Sequence, residues 1–484
     1  MKIFRVSFLI MFCLILVSCS EREPEPENIE VQDFIWKGLN AYYFYQDNIS
    51  DLSDRRFTSD QQLYSYLGGF NEPQNLFSSL LNGGDETSAL IEDYTTLINT
   101  PLRNTRTYGI EFGIIAQPAN AENVIGYVIH VLPNSNATTK NITRGEFFNV
   151  VDGTQLTRSN YEALLVSNEN PITLEMTDFN GGAVSPNGKT VTLEKEDYEF
   201  PAIFKSNVIA SGANNIGYLA YNNDFSAKYI TELNNTFLNL KNQGVNQLVI
   251  DLRYNVSSES LSENLALLAS MITGQFTNEP FIKEQWNTKA QDWFETHQPE
   301  SIITNFVNQI DKDTPINSLN LEDVYFILDG QNFMGSPTTE LLINSLKPYI
   351  NVYVIGRETA GNNLGAILLY DSIDYDFENR NNRHTFALRP LVLKFLNKDN
   401  QSFDNGITPN IELCPNEDIL NLGVLGEVSD PILDLTVNYI NSGSVSTPPN
   451  CNLNTFDFLY NSIDNQRIDS YQTVTIERDL PNTN

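Results

Sequence analysis

The feature that most constrains the fold is a series of alternating strand and helix patterns between residues 205 and 440. Strands that are apolar on both faces alternate here with amphipathic helices. The predicted strands cover 216–221, 247–252, 324–328 and 352–355, and the predicted helices cover 230–240, 261–272 and 338–346. Strands of this kind belong to parallel sheets that helices cover on both faces. The sequence therefore predicts an α/β domain with a mainly parallel sheet, whose ligand sites lie beyond the carboxyl ends of its strands.

The segments that flank this domain have a different character. Residues 29–100 predict a small helical domain, because apolar side chains such as Phe34, Leu39 and Leu63 recur near helical spacing. An apolar and aromatic stripe of this kind indicates a core. The tail over 441–484 is rich in Asn, Ser and Pro and predicts no motif.

Residues 105–198 predict a β domain built from short strands and turns. Asp152-Gly153, a dipeptide typical of tight hairpin turns, separates two of its strand-like runs. A glycine loop before one strand and the later segment 144–153 (RGEFFNVVDG) together resemble a PDZ domain. The resemblance implies that a peptide C-terminus adds a strand here while loop amides hold its carboxylate. The residues it assigns to peptide binding are Gly109, Ile110, Glu111 and Phe112; the alternative is a β domain without a ligand.

The first 28 residues predict an export signal. Lys2 and Arg5 precede a twelve-residue apolar run, which as a helix spans about 18 Å, too short for the ~30 Å core of a bilayer. This pattern is typical of a secretory signal. The signal over 1–18 ends before Cys19 in a context that resembles a bacterial lipobox, which implies lipidation of Cys19. An ordinary signal with a chance cysteine is the alternative.

An acidic, proline-rich stretch over 19–28 follows and predicts an extended tether. It resembles the stretch that follows the lipidated cysteine in Bacteroidetes lipoproteins sent to the outer face of the outer membrane. We therefore expect a protein anchored by lipid in the outer membrane and facing the cell surface, with the periplasmic face as the alternative.

Charge and the scarcity of two residue types exclude several functions. The chain has 29 basic and 61 acidic side chains and a net charge of −32, which argues against nucleic-acid binding and against electrostatic docking on anionic lipid. Its 3 His and 4 Cys show no zinc-binding spacing, so we expect no metal and no cofactor. Cys414 and Cys451 are either paired, as conditions outside the cytoplasm allow, or two buried thiols.

Five stretches carry a resemblance to a known family. They are 216–222 (IGYLAYN), 248–255 (LVIDLRYN), 340–349 (ELLINSLKPY), 354–361 (VIGRETAG) and 406–410 (GITPN). In this order they resemble the C-terminal processing, or tail-specific, serine peptidases in the form found among Bacteroidetes lipoproteins. Across residues 29–415 the resemblance implies an α/β peptidase core with an inserted PDZ domain. It also implies a Ser/Lys dyad that cuts unstructured polypeptides near their C-termini.

The sequence departs from the family at its three catalytic positions. The nucleophile position holds Pro337, preceded by Ser336, and the lysine position holds Asn362. The glycines expected after the DLRYN motif are replaced by 256–259 (VSSE). Because an amide side chain is not a proton base near neutral pH, the step that activates the serine is lost.

Two functions from different classes remain. The first is a lipoprotein on a degenerate peptidase fold that binds polypeptides, above all their C-termini, without cutting them. The second is a serine endopeptidase that uses Ser336 with a relocated base. Lys347 lies at the far end of the predicted helix, about 16 Å from Ser336, and Lys394 and Lys398 lie on or after a late strand. Ser336-Pro337 also has the sequence of a helix N-cap followed by proline at the first helical position. A surface lipoprotein without a ligand is a third possibility.

Overall fold

The fold comes from a computed structural model of the chain. It describes residues 27–96, 106–223, 225–255, 262–328, 336–414, 418–445, 456–463, 474–476 and 480. The predicted signal, the predicted lipidation site Cys19 and the 256–259 stretch lie outside these ranges. No helix within them is both long enough and apolar enough to cross a membrane.

The N-terminal segment is helical, as the sequence predicts. Its elements are α1 (Glu30–Tyr42), α2 (Asp60–Leu67), α3 (Pro73–Ser79) and the short strand β1 (Ala89–Ile91). Ser59 caps α2 by accepting a hydrogen bond from the Gln62 N–H, and Pro73 begins α3. The apolar face of α1, which includes Phe34 and Leu39, packs into the same core cluster as the α/β domain. The helices therefore extend that core instead of forming one of their own.

The β domain comprises residues 106–197. Its strands are β2 (Arg106–Thr107), β3 (Ile110–Gln117), β4 (Asn120–Val131), β5 (Phe147–Val151), β6 (Thr154–Gln155), β7 (Ile172–Phe179), β8 (Val184–Leu193) and β9 (Glu196–Asp197). Strands β3, β4, β5, β7 and β8 form an antiparallel sheet in that order. Asp152 and Gly153 have φ values of 50° and 74°, which fit the predicted tight turn between β5 and β6. A π-helical turn, Glu162–Val166, precedes β7.

The α/β domain follows the predicted alternation. Its elements in chain order are β10 (Ile203–Ser211), β11 (Asn214–Tyr221), α4 (Ala227–Asn242), β12 (Gln247–Asp251), α5 (Ser262–Thr273), β13 (Pro280–Trp286), α6 (Thr288–His297), β14 (Ile303–Asn305), β15 (Gln309–Asp311), β16 (Thr314–Pro315), β17 (Asp323–Ile327), α7 (Pro337–Leu346), β18 (Asn351–Gly356), β19 (Leu364–Ala366), β20 (Leu369–Tyr370), β21 (Ala387–Arg389), β22 (Leu391–Leu396), β23 (Ile411–Glu412) and α8 (Pro431–Ser442). All four predicted strands and all three predicted helices are present.

A six-stranded sheet in the order β10-β11-β12-β17-β18-β23 is the centre of this domain. Its pairings are parallel except that between β10 and β11. One face packs on α4, α5 and α7, and the other packs on α8. The sheet is therefore buried on both sides, and the predicted α/β fold with an N-terminal helical segment is confirmed.

The tail, for which the sequence predicted no role, supplies strands to two sheets. β24 (Phe458–Asn461) adds to the edge of β3 in the β domain, and β25 (Val474–Thr475) pairs with β19. Cys414, which follows β23, is disulfide-bonded. The other three cysteines of the sequence lie outside the described residues.

A buried cation at the carboxyl end of β12 joins several of these elements. The Arg253 guanidinium lies 2.7 Å from the Asp251 carboxylate and also pairs with Asp430, the N-cap of α8. Tyr218 on β11 donates a 2.7 Å hydrogen bond to Asp251. Burial disfavours the charge, but the two carboxylates raise the pKa of Arg253 well above its ordinary value. The DLRYN motif therefore has a structural role here: its charges hold two strands and a helix together.

Replacing Arg253 by Ala should destabilise the chain by about 3–5 kcal/mol, because two carboxylates would stay buried without their cation. Urea unfolding followed by circular dichroism measures the change. Lys312→Ala is the control, because that side chain is 90% exposed, and we expect no measurable effect from it. A wild-type midpoint for Arg253→Ala would contradict the role given to the ion network.

Candidate active site

Ser336, the candidate nucleophile, is the N-cap residue of α7. Its backbone is extended, and Pro337 takes the first helical position. The Ser336 Oγ accepts a 3.1 Å hydrogen bond from the Thr339 N–H and donates a 2.9 Å hydrogen bond to Thr339 Oγ1. The side chain is completely buried. The hydroxyl thus uses both its donor and an acceptor position to cap the helix.

The loop that carries Asn362 is bound to the same helix. Glu340, one turn after Ser336, accepts hydrogen bonds from the N–H groups of Gly361 at 2.7 Å and Asn362 at 2.9 Å. Gly361 has a φ of +84°, and a Cβ there would lie 2.6 Å from the Asp404 carbonyl oxygen, so only glycine fits. The structure therefore places Ser336 and the loop with the lysine position at the first turn of α7. Glu340 binds the main-chain N–H of Asn362 there, and the side chain at the lysine position is an amide and not a base.

The contacts that the structure describes for the three lysines considered as relocated bases do not include Ser336. Lys394 forms an ion pair with Asp404. Burial opposes the Asp404 charge, but hydrogen bonds from Lys394 and its neighbours lower the pKa of Asp404 to about 2. The Lys398 ammonium lies 3.9 Å from the centroid of the Tyr349 ring. Lys347 is the C-cap residue of α7, at the opposite end from the serine. Among the described residues, the hydrogen bonds of the predicted nucleophile involve no basic side chain.

Asn255, the last residue of the DLRYN motif, is fully buried and fixes the ends of two strands. Its amide donates hydrogen bonds to the carbonyl groups of Tyr221 at 3.1 Å and Asn223 at 2.7 Å. These contacts hold the segment after β12 beside the segment after β11. The stretch in which the family carries its oxyanion glycines lies beyond it, outside the described residues.

The predicted peptide-binding residues 109–112 lie at the start of β3, but the outer edge of this strand is already paired. β24 runs antiparallel to it, with Phe458 opposite Ile115 and Asn461 opposite Gly113. The Phe112 N–H donates a 2.9 Å hydrogen bond to Ser462 Oγ, and the Ser462 N–H donates a 2.9 Å hydrogen bond to the Phe112 carbonyl. The chain itself therefore supplies an added strand at this edge.

The contacts of this loop also argue against a bound carboxylate. Ser462 Oγ donates a hydrogen bond to the carboxyl group of Glu111, which is only 4% exposed. The Gly109 N–H donates to Thr107 Oγ1 at 3.2 Å. A peptide carboxylate placed here would meet a second buried carboxyl group, and two neighbouring carboxyl groups disfavour each other's ionisation. In this structure the loop contacts the Ser462 hydroxyl, and peptide binding by residues 109–112 stays a prediction.

A small cavity separates the β domain from the six-stranded sheet. Glu111, His130, Tyr254 and Ile463 line it, together with residues of β10. His130 is buried, and neither ring nitrogen has a hydrogen-bond partner among the described residues. Burial, together with the nearby arginines, lowers the pKa of His130 well below its ordinary value. The ring is therefore neutral, and nothing in the sequence around this isolated histidine pointed to such a position.

Glu340 predicts a pH dependence of stability. Burial raises its pKa above the ordinary value of 4.5, although hydrogen bonds from the loop oppose the shift. Protonation therefore stabilises the folded chain fully below about pH 4.5, and this contribution is lost as the pH rises through the raised pKa. The free energy of unfolding of the wild type, minus that of Glu340→Gln, should fall as the pH rises from the ordinary value of 4.5 through the raised pKa. Urea unfolding at several pH values measures it.

Glu322→Gln, at an exposed position, is the control for the loss of one carboxyl group. A wild-type minus Glu340→Gln difference that stays constant with pH would contradict the buried carboxyl described here.

The comparisons with known proteins agree with this architecture. Residues 30–95 match the model of the Peptidase S41 N-terminal domain. The fold is similar to that of a candidate S41 protease from Bacteroides fragilis NCTC 9343, with a TM-score of 0.62 and 19% identity over 85% of this chain and 97% of that one. The photosystem II D1 C-terminal processing protease gives a TM-score of 0.44 at 15% identity, over 81% and 94% of the two chains. No curated protein sequence matches. The chain therefore carries a Peptidase S41 N-terminal domain and resembles the S41, or C-terminal processing, proteases in its fold.

Proposed function

We propose that this protein is a lipoprotein of the cell envelope that binds polypeptides on an S41 protease fold and no longer cleaves them. The proposal rests on one observation: the Ser336 hydroxyl caps α7 through two hydrogen bonds to Thr339. The polypeptide class of ligand follows from the resemblance to the tail-specific peptidases.

The chemistry of acyl transfer explains why this arrangement does not support cleavage. A serine hydroxyl attacks a carbonyl group only when a base accepts its proton. Here the hydroxyl proton is donated to Thr339 Oγ1, a neutral oxygen that is not a base. Lys394 is paired with Asp404. Proteolysis through Ser336 would require the helix cap to open and a base to arrive from elsewhere.

The alternative, an active serine endopeptidase built on Ser336 with a relocated base, is tested directly. The chain without its first nineteen residues is incubated with an unstructured protein, beside Ser336→Ala and Asn362→Lys, and the products are analysed by mass spectrometry. We expect no cleavage by any of the three proteins, while a pull-down detects bound polypeptide. Cleavage by the parent that disappears in Ser336→Ala would overturn the proposal and establish a relocated dyad.

The envelope location rests on the predicted signal and the lipobox-like Cys19. A disulfide at Cys414 supports an oxidising compartment outside the cytoplasm. Cys414 and Cys451 are the two cysteines that follow Cys19 in the sequence. Cys451 is therefore the proposed partner of Cys414 in this disulfide. We propose the outer membrane, with the folded domains facing the cell surface.

Replacing Cys19 by Ala should abolish incorporation of a radiolabelled fatty acid and release the protein from the membrane fraction, because no thiol remains at the lipobox. Cys13→Ala, which changes a cysteine inside the apolar run, is the matched control and should keep both properties. Membrane retention and labelling of Cys19→Ala equal to wild type would exclude the proposed anchor.

A further inference from the structure

We infer that residues 456–463, here called the tail strand, are an internal ligand of the β domain, and that a bound polypeptide reaches the β3 edge by displacing them. The inference rests on the proposed polypeptide binding and adds both the place of binding and the kind of segment that is bound. It follows from the contacts of the tail strand with β3, from its side-chain surroundings and from its partial burial.

The main chain of the tail strand makes the contacts of an added strand. Ala116 N–H donates a 2.8 Å hydrogen bond to the Asp457 carbonyl, and Ser462 N–H donates a 2.9 Å hydrogen bond to the Phe112 carbonyl. The pairing is antiparallel between these points. Addition of a strand to a sheet edge is a general mode of peptide recognition, in which main-chain hydrogen bonds supply affinity and side-chain sites supply selectivity. The tail strand occupies the edge in this way.

Two side-chain sites flank the edge. The Tyr460 ring lies 5.5 Å from the Phe112 ring and 6.0 Å from the Tyr161 ring, measured between centroids, over the core of the β domain. Phe458 packs on the other face, 6.5 Å from Tyr127. An extended segment with aromatic side chains at both positions fills these sites. Aromatic rings in contact prefer certain orientations, and this contact stabilises the pair in addition to the burial of apolar area.

Ser462, two residues after Tyr460, sets the chemistry at the loop. Ser462 Oγ accepts a hydrogen bond from the Phe112 N–H and donates one to Glu111. A hydroxyl group can do both, whereas a carboxylate can only accept. The edge is therefore built for an internal stretch of chain with serine or threonine at this position, and not for a free C-terminus.

Partial burial makes the tail strand exchangeable. All four residues of β24 are only half-buried, and the ion pair between Arg158 and Asp457 is exposed, with side-chain exposures of 37% and 62%. β3 is buried over nearly its whole length and pairs with β4 along its other edge. When the tail strand leaves, β3 keeps β4 as its partner, and the sheet loses an edge strand together with the packing of Phe458 and Tyr460 and the buried side chain of Ile463. An outside segment of the same chemistry can take its place.

The test uses the full-length protein in detergent and a fluorescent peptide with the sequence of residues 456–463, FDFLYNSI. Tyr460→Ala weakens the tail strand without changing the site, so it should bind the probe at least tenfold more tightly than wild type, which corresponds to about 1.4 kcal/mol. Tyr439→Ala is the matched control: it removes another half-buried tyrosine ring, on α8, 5.7 Å from Tyr353. It should leave affinity unchanged. Fluorescence anisotropy gives the dissociation constants.

Two further probes test the chemistry of the loop. A peptide with alanine in place of the serine, and a peptide that ends in a free carboxylate after the asparagine, should both bind Tyr460→Ala more weakly than the parent probe. Equal affinity of all three probes would overturn the assignment of a hydroxyl-bearing internal segment.

Hydrogen exchange on the wild type supplies a measurement that does not depend on a variant. Saturating probe should speed amide exchange in residues 456–463 while residues 112–116 stay protected. Unchanged exchange, or equal probe affinity for wild type and Tyr460→Ala, would overturn the internal-ligand inference. If no protein binds the probe, the internal-ligand inference is also overturned. If the wild type then still binds an unstructured polypeptide, the proposed function stands; if it does not, the inference and the proposed function are both overturned.

Discussion

The burial of the Arg253 charge is the constraint on which much of the architecture depends. A guanidinium taken out of water is tolerated only where anions surround it, and here Asp251 comes from its own strand end and Asp430 from the start of α8. The next residue, Tyr254, continues the connection: its hydroxyl accepts a 2.8 Å hydrogen bond from Arg144 in the β domain. One charged site thus fixes the sheet, the helix on its outer face and the neighbouring domain in register.

The same end of the sheet carries the candidate catalytic positions. The resemblance to the tail-specific peptidases implies a serine at the start of α7, where this chain has Pro337, and the preceding Ser336 caps the helix. Glu340 retains a positioning role, because its carboxyl group binds the N–H groups of Gly361 and Asn362. The start of α7 and the loop of Asn362 are therefore held together, and the hydrogen bonds of Ser336 involve no basic side chain in the part of the chain that the structure describes.

The sequence predicted the structural features that depend on residues close together in the chain. The buried strands β11, β12, β17 and β18 were predicted because each is a continuous apolar run. The cap at Ser336 was predicted because serine is favoured at the N-cap and proline at the first helical position. The helical N-terminal segment and the turn at Asp152-Gly153 were predicted for similar reasons. These features need no knowledge of distant partners.

The strand at 458–461 could not be predicted, because it forms only by pairing with β3. Its four residues are half-buried and show no clear alternation, and the pairing surface is far away in the sequence. The occupied edge and the contact between Ser462 and Glu111 therefore appeared only in three dimensions. The cavity around His130 was missed for the same reason, since its walls come from separate domains.

The distance in sequence between the two partners has a consequence for how the chain folds. Phe112 and Ser462 are 350 residues apart, so the edge of the β domain cannot be completed until most of the chain has been synthesised. Contacts of such long sequence separation carry a large loop-closure cost and form late. During synthesis the β3 edge therefore stays open until the tail strand has been made. That interval is when this edge is most open to chaperones, to other chains and to aggregation.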